Sequence, residues 1–214
     1  ALPWILCLPI ETANSMLSHL WQFKSISPNP ISPLTLLIEL HKVNPRNEED
    51  LSNVANAIVY CLRQKQIFNS EVVSTTLATL IKEEETPKPL MRTILECLIN
   101  NVQRQYILGP VLKTLIQKKH IERDDILWQG LRRVFMMNLG YHVEELLFLI
   151  PKEKIKEVLF LSKQKGGLVL YHVENYLDNQ QHRSNENLVK AREAVKEVRK
   201  ELKERLAREA EQKE

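Results

Sequence analysis

Glycine is scarce in this chain, five in 214 residues. So few permissive positions leave little of the turn chemistry that strand-rich folds need. With Leu, Ile, Glu and Lys abundant, helix is favoured nearly everywhere. Cysteine is scarcer still, and Cys7, Cys61 and Cys97 stand apart from one another in apolar helical patterns. That argues against a disulfide framework and reads them as reduced core residues of an intracellular protein. No apolar run reaches the roughly 18 residues of a membrane-spanning helix. The opening Ala1–Ile10 stretch is apolar but short and has no basic leader, unlike a signal peptide. The chain does not begin with Met and reads as a fragment of something longer. Charge of one sign is missing too: 30 basic against 27 acidic residues give +3, no general drive toward nucleic acid or anionic membrane. There is no Gly-rich phosphate loop, His-Glu-x-x-His, Cys-x-x-Cys or Gly-x-Ser-x-Gly, so no catalytic, cofactor-binding or metal-binding residue is assigned and no cofactor is expected.

What the chain does have is amphipathic helix. In the central stretch 86–102, Thr86 reads as an N-cap and Pro87 as the first helical residue. Leu90, Met91, Ile94, Leu95, Leu98 and Val102 then recur at three- and four-residue steps, with Lys88, Arg92, Glu96 and Asn100 opposite. On the N-terminal side, a helix over 9–23 ends in the Pro-rich run 25–33. Ser32-Pro33 restarts one that stops at Asn44-Pro45, residues 48–64 form the next, and Asn69-Ser70 caps another. Further helices are expected at about 106–118, with Pro110 near its first turn, and from Asp124-Asp125 to Gly140. Residues 141–150 and 152–164 form a pair split at Pro151, and a short helix follows Gly166-Gly167 and ends near Leu177.

Taken as pairs, the first helices begin near 33, 70, 106 and 141. Two antiparallel helices per 35 to 37 residues is the arithmetic of a HEAT-like solenoid. The expected organisation is an N-terminal capping helix and loop over 1–31, a helical-repeat domain over 32–165, a short cap and loop over 166–183, and a charged extended helix over 184–214. On that last helix Leu188, Ala191, Val195, Val198 and Leu202 form a two-per-heptad seam. Pairs such as Glu201/Arg205, Glu204/Arg208 and Glu209/Lys213 support an exposed helix, and Arg205 and Glu209 interrupt the seam beyond Leu202.

The residues that could do more than fold are few. His142/Glu144 and His172/Glu174 sit in a repeated Tyr-His-Val-Glu, but residues two apart on a helix point to different faces and neither pair can chelate one ion. Lys118, Lys119, His120, Arg123, Arg132 and Arg133 could meet phosphates, yet Glu122, Asp124 and Asp125 interrupt them and no aromatic row accompanies them. Trp128, Leu131 and Phe135 share a face and read as core. The candidates for partner binding are Met91 and Arg92, Arg132 and Arg133, the adaptable Met136 and Met137, and Leu188, Val195 and Leu202 along the terminal seam.

Four segments carry a resemblance: Ser32-Pro-Leu-Thr-Leu-Leu-Ile-Glu-Leu-His41, Phe68-Asn-Ser-Glu-Val-Val73, Pro89-Leu-Met-Arg-Thr93 and Leu127-Trp-Gln-Gly-Leu131. In order and spacing, across roughly 31–161, they resemble the C-terminal domain of the symplekin family, the scaffold subunit of the machinery that cleaves and polyadenylates pre-mRNA. The resemblance implies a nuclear, non-enzymatic helical scaffold. It would hold the C-terminal domains of the cleavage endonuclease and of that enzyme's inactive metallo-β-lactamase-like partner. The alternative is an RNA-binding helical repeat; direct RNA contact would be secondary in the scaffold reading, and no membrane partner is expected.

Overall fold

Every element in the computed structural model, which describes residues 8–22, 31–100, 102–118, 121, 123–137, 143–164, 168–180 and 185–211, is a helix; no strand occurs among them. In order they are α1 (Ile10–Gln22), α2 (Pro33–His41), α3 (Glu48–Arg63), α4 (Ser70–Leu80), α5 (Leu90–Asn100), α6 (Val102–Gln117), α7 (Asp125–Met137), α8 (Val143–Leu147), α9 (Lys152–Gln164), α10 (Val169–Asn179) and α11 (Glu186–Glu211). The chain divides into two compact units, Ala1–Leu131 and Arg132–Glu214.

The starts are set locally. Ser32 Oγ accepts from the Thr35 amide at 3.0 Å ahead of Pro33, and Asn47 and Asn69 Oδ1 accept from the amides of Asp50 and Val72 at 2.8 and 3.0 Å. Asp124 Oδ1 takes two amides, Ile126 and Leu127, each at 3.0 Å, and Asn185 caps α11 through the Leu188 amide at 2.9 Å. Each cap satisfies a donor that a helix leaves orphaned. Replacing Asn69 with Ala is expected to cost about 1 kcal/mol, read as a lower urea midpoint at unchanged m-value.

In the first unit α1 packs on α3 and α3 on α5, while α2 packs on α4 and α4 on α6; α2–α3 and α5–α6 contacts join the two rows. Contacts between every second helix are the signature of stacked helix pairs, in which each pair buries its apolar faces against its neighbours. The core between the rows holds Leu36, Leu37, Leu40, Ile58, Phe68, Leu77, Leu80, Leu90 and Ile94, all fully buried. Cys61 and Cys97 are buried thiols, and burial pushes the Cys61 group far above the usual thiol range. Cys7 lies outside the described residues.

Three expectations shift. The central helix begins at Leu90, four residues after Thr86, because Pro89 keeps Lys88 out of helical geometry. The helix α6 starts at Val102 and carries Pro110 inside it, not in its first turn. The Pro110 ring is exposed, so the helix passes through with one amide donor missing rather than stopping. The leading helices therefore start at 33, 70, 102 and 143, a less even interval than 35 to 37. The C-terminus expected at Gly140 falls outside the described residues, whereas α9 ends at Gln164, where the sequence places it.

In the second unit α9, α10 and α11 all contact one another, and α8 rests on α10. Tyr176 donates from its hydroxyl to Glu145 at 2.9 Å, and its ring meets Phe148 edge-on at 5.6 Å. Ile155, Val158 and Leu159 of α9, Val173 of α10, and Ala191, Ala194 and Val198 of α11 are fully buried. The terminal helix is thus covered, not solitary. At 26 residues it is about 39 Å long against about 20 Å for the 13 residues of α9, so its far end outruns its support. Leu202 is half-buried and Leu206 is 64% exposed.

Candidate functional site

Three of the four sequence segments singled out above meet at α5. His41, at the end of α2, is 1% exposed and spans to α5. Its Nδ1 lies 2.7 Å from the Leu37 carbonyl and its Nε2 lies 2.7 Å from Thr93 Oγ1. A carbonyl only accepts, so Nδ1 carries the proton; in the neutral ring Nε2 then accepts from the Thr93 hydroxyl. Burial lowers the His41 pKa from 6.5 to about 4, against a smaller opposite effect of the Leu37 carbonyl, and keeps the ring neutral.

On the same helix Met91 is 3% exposed and lies against Gly130 of α7: a Cβ on Gly130 would sit 2.6 Å from Met91 Cβ and 2.8 Å from Cγ. The glycine is there because α7 comes too close for any side chain. The Leu-Met-Arg-Thr and Trp-Gln-Gly segments are therefore packing devices, and Met91 is turned inward, away from any partner. Arg92 points outward and pairs with Glu96 at 2.9 Å one turn on.

Beside His41, within the first unit, lies a groove of about 950 Å³. Its walls come from three connections: Val43–Pro45 after α2, Glu83–Pro89 before α5, and Arg123–Asp124 before α7. Its charges are mixed. Lys42 pairs with Glu83 at 3.0 Å, Lys118 Nζ donates to the Glu83 carbonyl, and Asp124 is engaged as an N-cap. No short sequence motif announces this groove, since its walls are 40 residues apart in the chain.

The remaining candidates separate by exposure. Arg132 is engaged with Glu157 at 2.5 Å. Arg133 is exposed, Met136 is half-buried, and Met137, one turn from Arg133, is 54% exposed. Leu188 and Val195 are buried at 5% and 8% exposure, so the seam expected to lie open is filled from within the chain. Glu201, read as an Arg205 partner, reaches Lys156 at 3.3 Å, and Arg208 Nε donates to the Glu204 carbonyl, not its carboxylate. Lys119, His120, His142 and Lys213 lie outside the described residues, so the Glu209/Lys213 and His142/Glu144 pairs are not described. His172 and Glu174 are on α10, where Glu174 accepts from Arg199 at 2.5 Å. Among the described residues no three His, Cys, Asp or Glu side chains could hold a metal ion together, and no helix is long and apolar enough to cross a membrane.

Sequence reasoning missed one set of contacts altogether. Lys152 of α9 reaches Glu193 and Glu197 at 3.5 and 2.7 Å, and Lys156 reaches Glu197 and Glu201 at 2.9 and 3.3 Å. Ascending residues pair with ascending residues, so α9 and α11 run parallel. Hydrogen bonds from Lys152 and then Lys156 hold the Glu197 carboxyl down at about 2, and the same contacts raise both lysines. The signal was the four-residue spacing on both helices, legible only once the two were paired.

Stacked helix pairs with inward-facing motif residues define a helical-repeat domain whose product is surface. The family model described as "Symplekin tight junction protein C terminal" matches residues 1–161, and the chain belongs to that family. The match takes in α1, which the four segments did not reach. No solved structure matches the chain.

Proposed function

We propose that this chain is a non-catalytic protein-binding scaffold domain of the nuclear pre-mRNA 3′-end processing complex. In this reading it holds the C-terminal domains of the cleavage endonuclease and of its inactive metallo-β-lactamase-like partner. The observation that carries the reading is the family match over residues 1–161, within which His41, Met91, Thr93 and Gly130 build the stack and leave its surface for docking. Arg133 and Met137, exposed one turn apart on α7, suit a partner contact: a cation that fixes orientation beside an adaptable apolar anchor. Protein is favoured over RNA because two cations of the basic set, Lys118 and Arg132, are spent on Glu83 and Glu157 within the chain.

The test is retention of the purified nuclease pair by the folded chain. Arg133→Glu with Met137→Glu is expected to weaken retention at least tenfold at unchanged melting temperature, about 1.4 kcal/mol or more. Failure of the parent chain to retain the pair would overturn the reading. A gel shift with RNA that collapses between low and moderate salt would favour the RNA-binding alternative.

A further inference from the structure

The helices α10 and α11 lie beyond residues 1–161, which the family model matches, and they carry the three most exposed large apolar side chains among the described residues. Leu168, Tyr171 and Leu206 are 62%, 59% and 64% exposed. We propose that this corner of the second unit, with a row of lysines beside it, is a docking surface for a partner protein's acidic amphipathic helix, which sets apolar side chains on the corner and carboxylates against the lysines. The inference does not depend on which complex the chain joins.

The register between the two helices places the corner. Arg192 donates to the Gln180 carbonyl at 2.9 Å and Arg199 to Glu174 at 2.5 Å, so rising numbers on α11 meet falling numbers on α10 and the two run antiparallel. One turn further on, that register brings Tyr171 level with Lys203, and a second turn brings Leu168 level with Leu206. Residues seven apart share a helix face, so Leu206 follows Arg192 and Arg199 on the side of α11 that turns to α10. Tyr171 likewise shares a side of α10 with Glu174 and with Asp178, whose charge acts on Arg199. The Tyr171 ring is braced edge-on by His172 at 5.7 Å, which leaves less freedom to lose when a partner covers it.

The charge of the occupant follows from how α11 sorts its own. Glu193, Glu197 and Glu201 are engaged by Lys152 and Lys156 of α9. Between that row and the row that meets α10, Lys196, Lys200 and Lys203 stand exposed at four- and three-residue steps. Among the described residues Lys196 and Lys203 have no partner, and Lys200 meets Glu204 at a loose 3.9 Å. Both signs are mixed along the sequence of α11, yet folding turns the acids toward α9 and leaves the lysines outward. Carboxylates are steered to such a row, and a tyrosine beside it supplies the anchor. Acidic protein is favoured over RNA because two of the three corner side chains are aliphatic and offer no face on which a base could stack.

The experiment uses the full chain and, as probe, a fluorescein-labelled synthetic helix with leucines at three- and four-residue steps and glutamates on both flanks. Anisotropy should report binding at least tenfold tighter than for the same peptide with its leucines changed to serine, or with its glutamates changed to lysine. Tyr171→Ser with Leu206→Ser should weaken binding at least tenfold, and so, separately, should Lys196→Glu with Lys200→Glu and Lys203→Glu. Both variants should keep the parent's melting temperature, since every side chain replaced is exposed. Binding that survives either set of substitutions, or no binding of the leucine and glutamate peptide by the parent, would overturn the proposal. Labelled oligouridylate bound more tightly than the peptide, and released by the same substitutions, would also overturn it and give the surface to RNA. Concentration-dependent dimers of the parent that Leu206→Ser dissolves would overturn it in favour of a second copy of the chain.

Discussion

Replacing Gly130 with Ala is expected to destabilise the first unit by about 2 kcal/mol. The new methyl would lie 2.6 Å from Met91 Cβ, an atom fixed to the α5 backbone that no rotamer change can move. Overpacking of this kind costs up to about 3 kcal/mol, and the better helix propensity of Ala returns about 1. The distinguishing result comes from the double substitution. Met91→Ala keeps the offending Cβ, so it should not rescue Gly130→Ala and should add its own cavity cost. Urea denaturation of the four chains measures this. A Gly130→Ala chain within about 0.5 kcal/mol of the parent, or a rescued double variant, would show that α5 and α7 can part freely.

The second large effect is on the pH dependence of stability. His41 is neutral and buried in the folded chain, with its pKa lowered to about 4, whereas the unfolded side chain takes a proton near 6.5. The unfolded state therefore binds more protons between those values. The stability His41 contributes is full above about pH 6.5 and is lost as pH falls toward 4, roughly 3 kcal/mol in all. Denaturant midpoints at pH 7.5, 5.5 and 4.5 should fall accordingly, and His41→Gln should flatten the slope while lowering stability at pH 7.5. Thr93→Val should keep the slope but remove the hydroxyl that donates to Nε2, at a cost of about 1–3 kcal/mol. A parent chain with flat stability from pH 7 to 4.5 would contradict the buried neutral ring. Glu197 acts in a lower window: its pKa is depressed to about 2, so the stability it contributes is present above its ordinary 4.5 and disappears as pH falls through 2.

What could be read in advance follows the range of the interactions. The helix starts at Ser32, Asn69 and Asp124 depend on a side chain and an amide two or three residues away; Ser32 and Asn69 were legible as caps, and Asp124 as a charge favoured at a helix start. Thr86 was misjudged because Pro89 overrides the cap, a conflict decided by backbone sterics within the same few residues. The inward faces at Leu90, Ile94, Trp128 and Phe135 followed from periodicity alone. By contrast, the His41–Thr93 bond spans 52 residues and the Lys152–Glu197 contact spans 45. Neither leaves a local mark, since a histidine on an apolar helix face and a charged row on a long helix are common in many settings. The terminal seam shows the same limit. Its spacing marked Leu188 and Val195 as an apolar stripe on a helix expected to lie open, and only the packing revealed that α9 and α10 cover it.

Because α9 and α11 lie parallel and are joined at successive turns, the direction of a pull decides how firmly they hold. Tension applied along the axis from the unsupported end past Leu202 loads every rung at once, in shear. Tension that lifts the Glu186 end away from α9 loads the rungs one after another, as in peeling tape. A partner that grips the far end of α11 therefore has a stiff handle, whereas one that works in from the Glu186 end has a zipper.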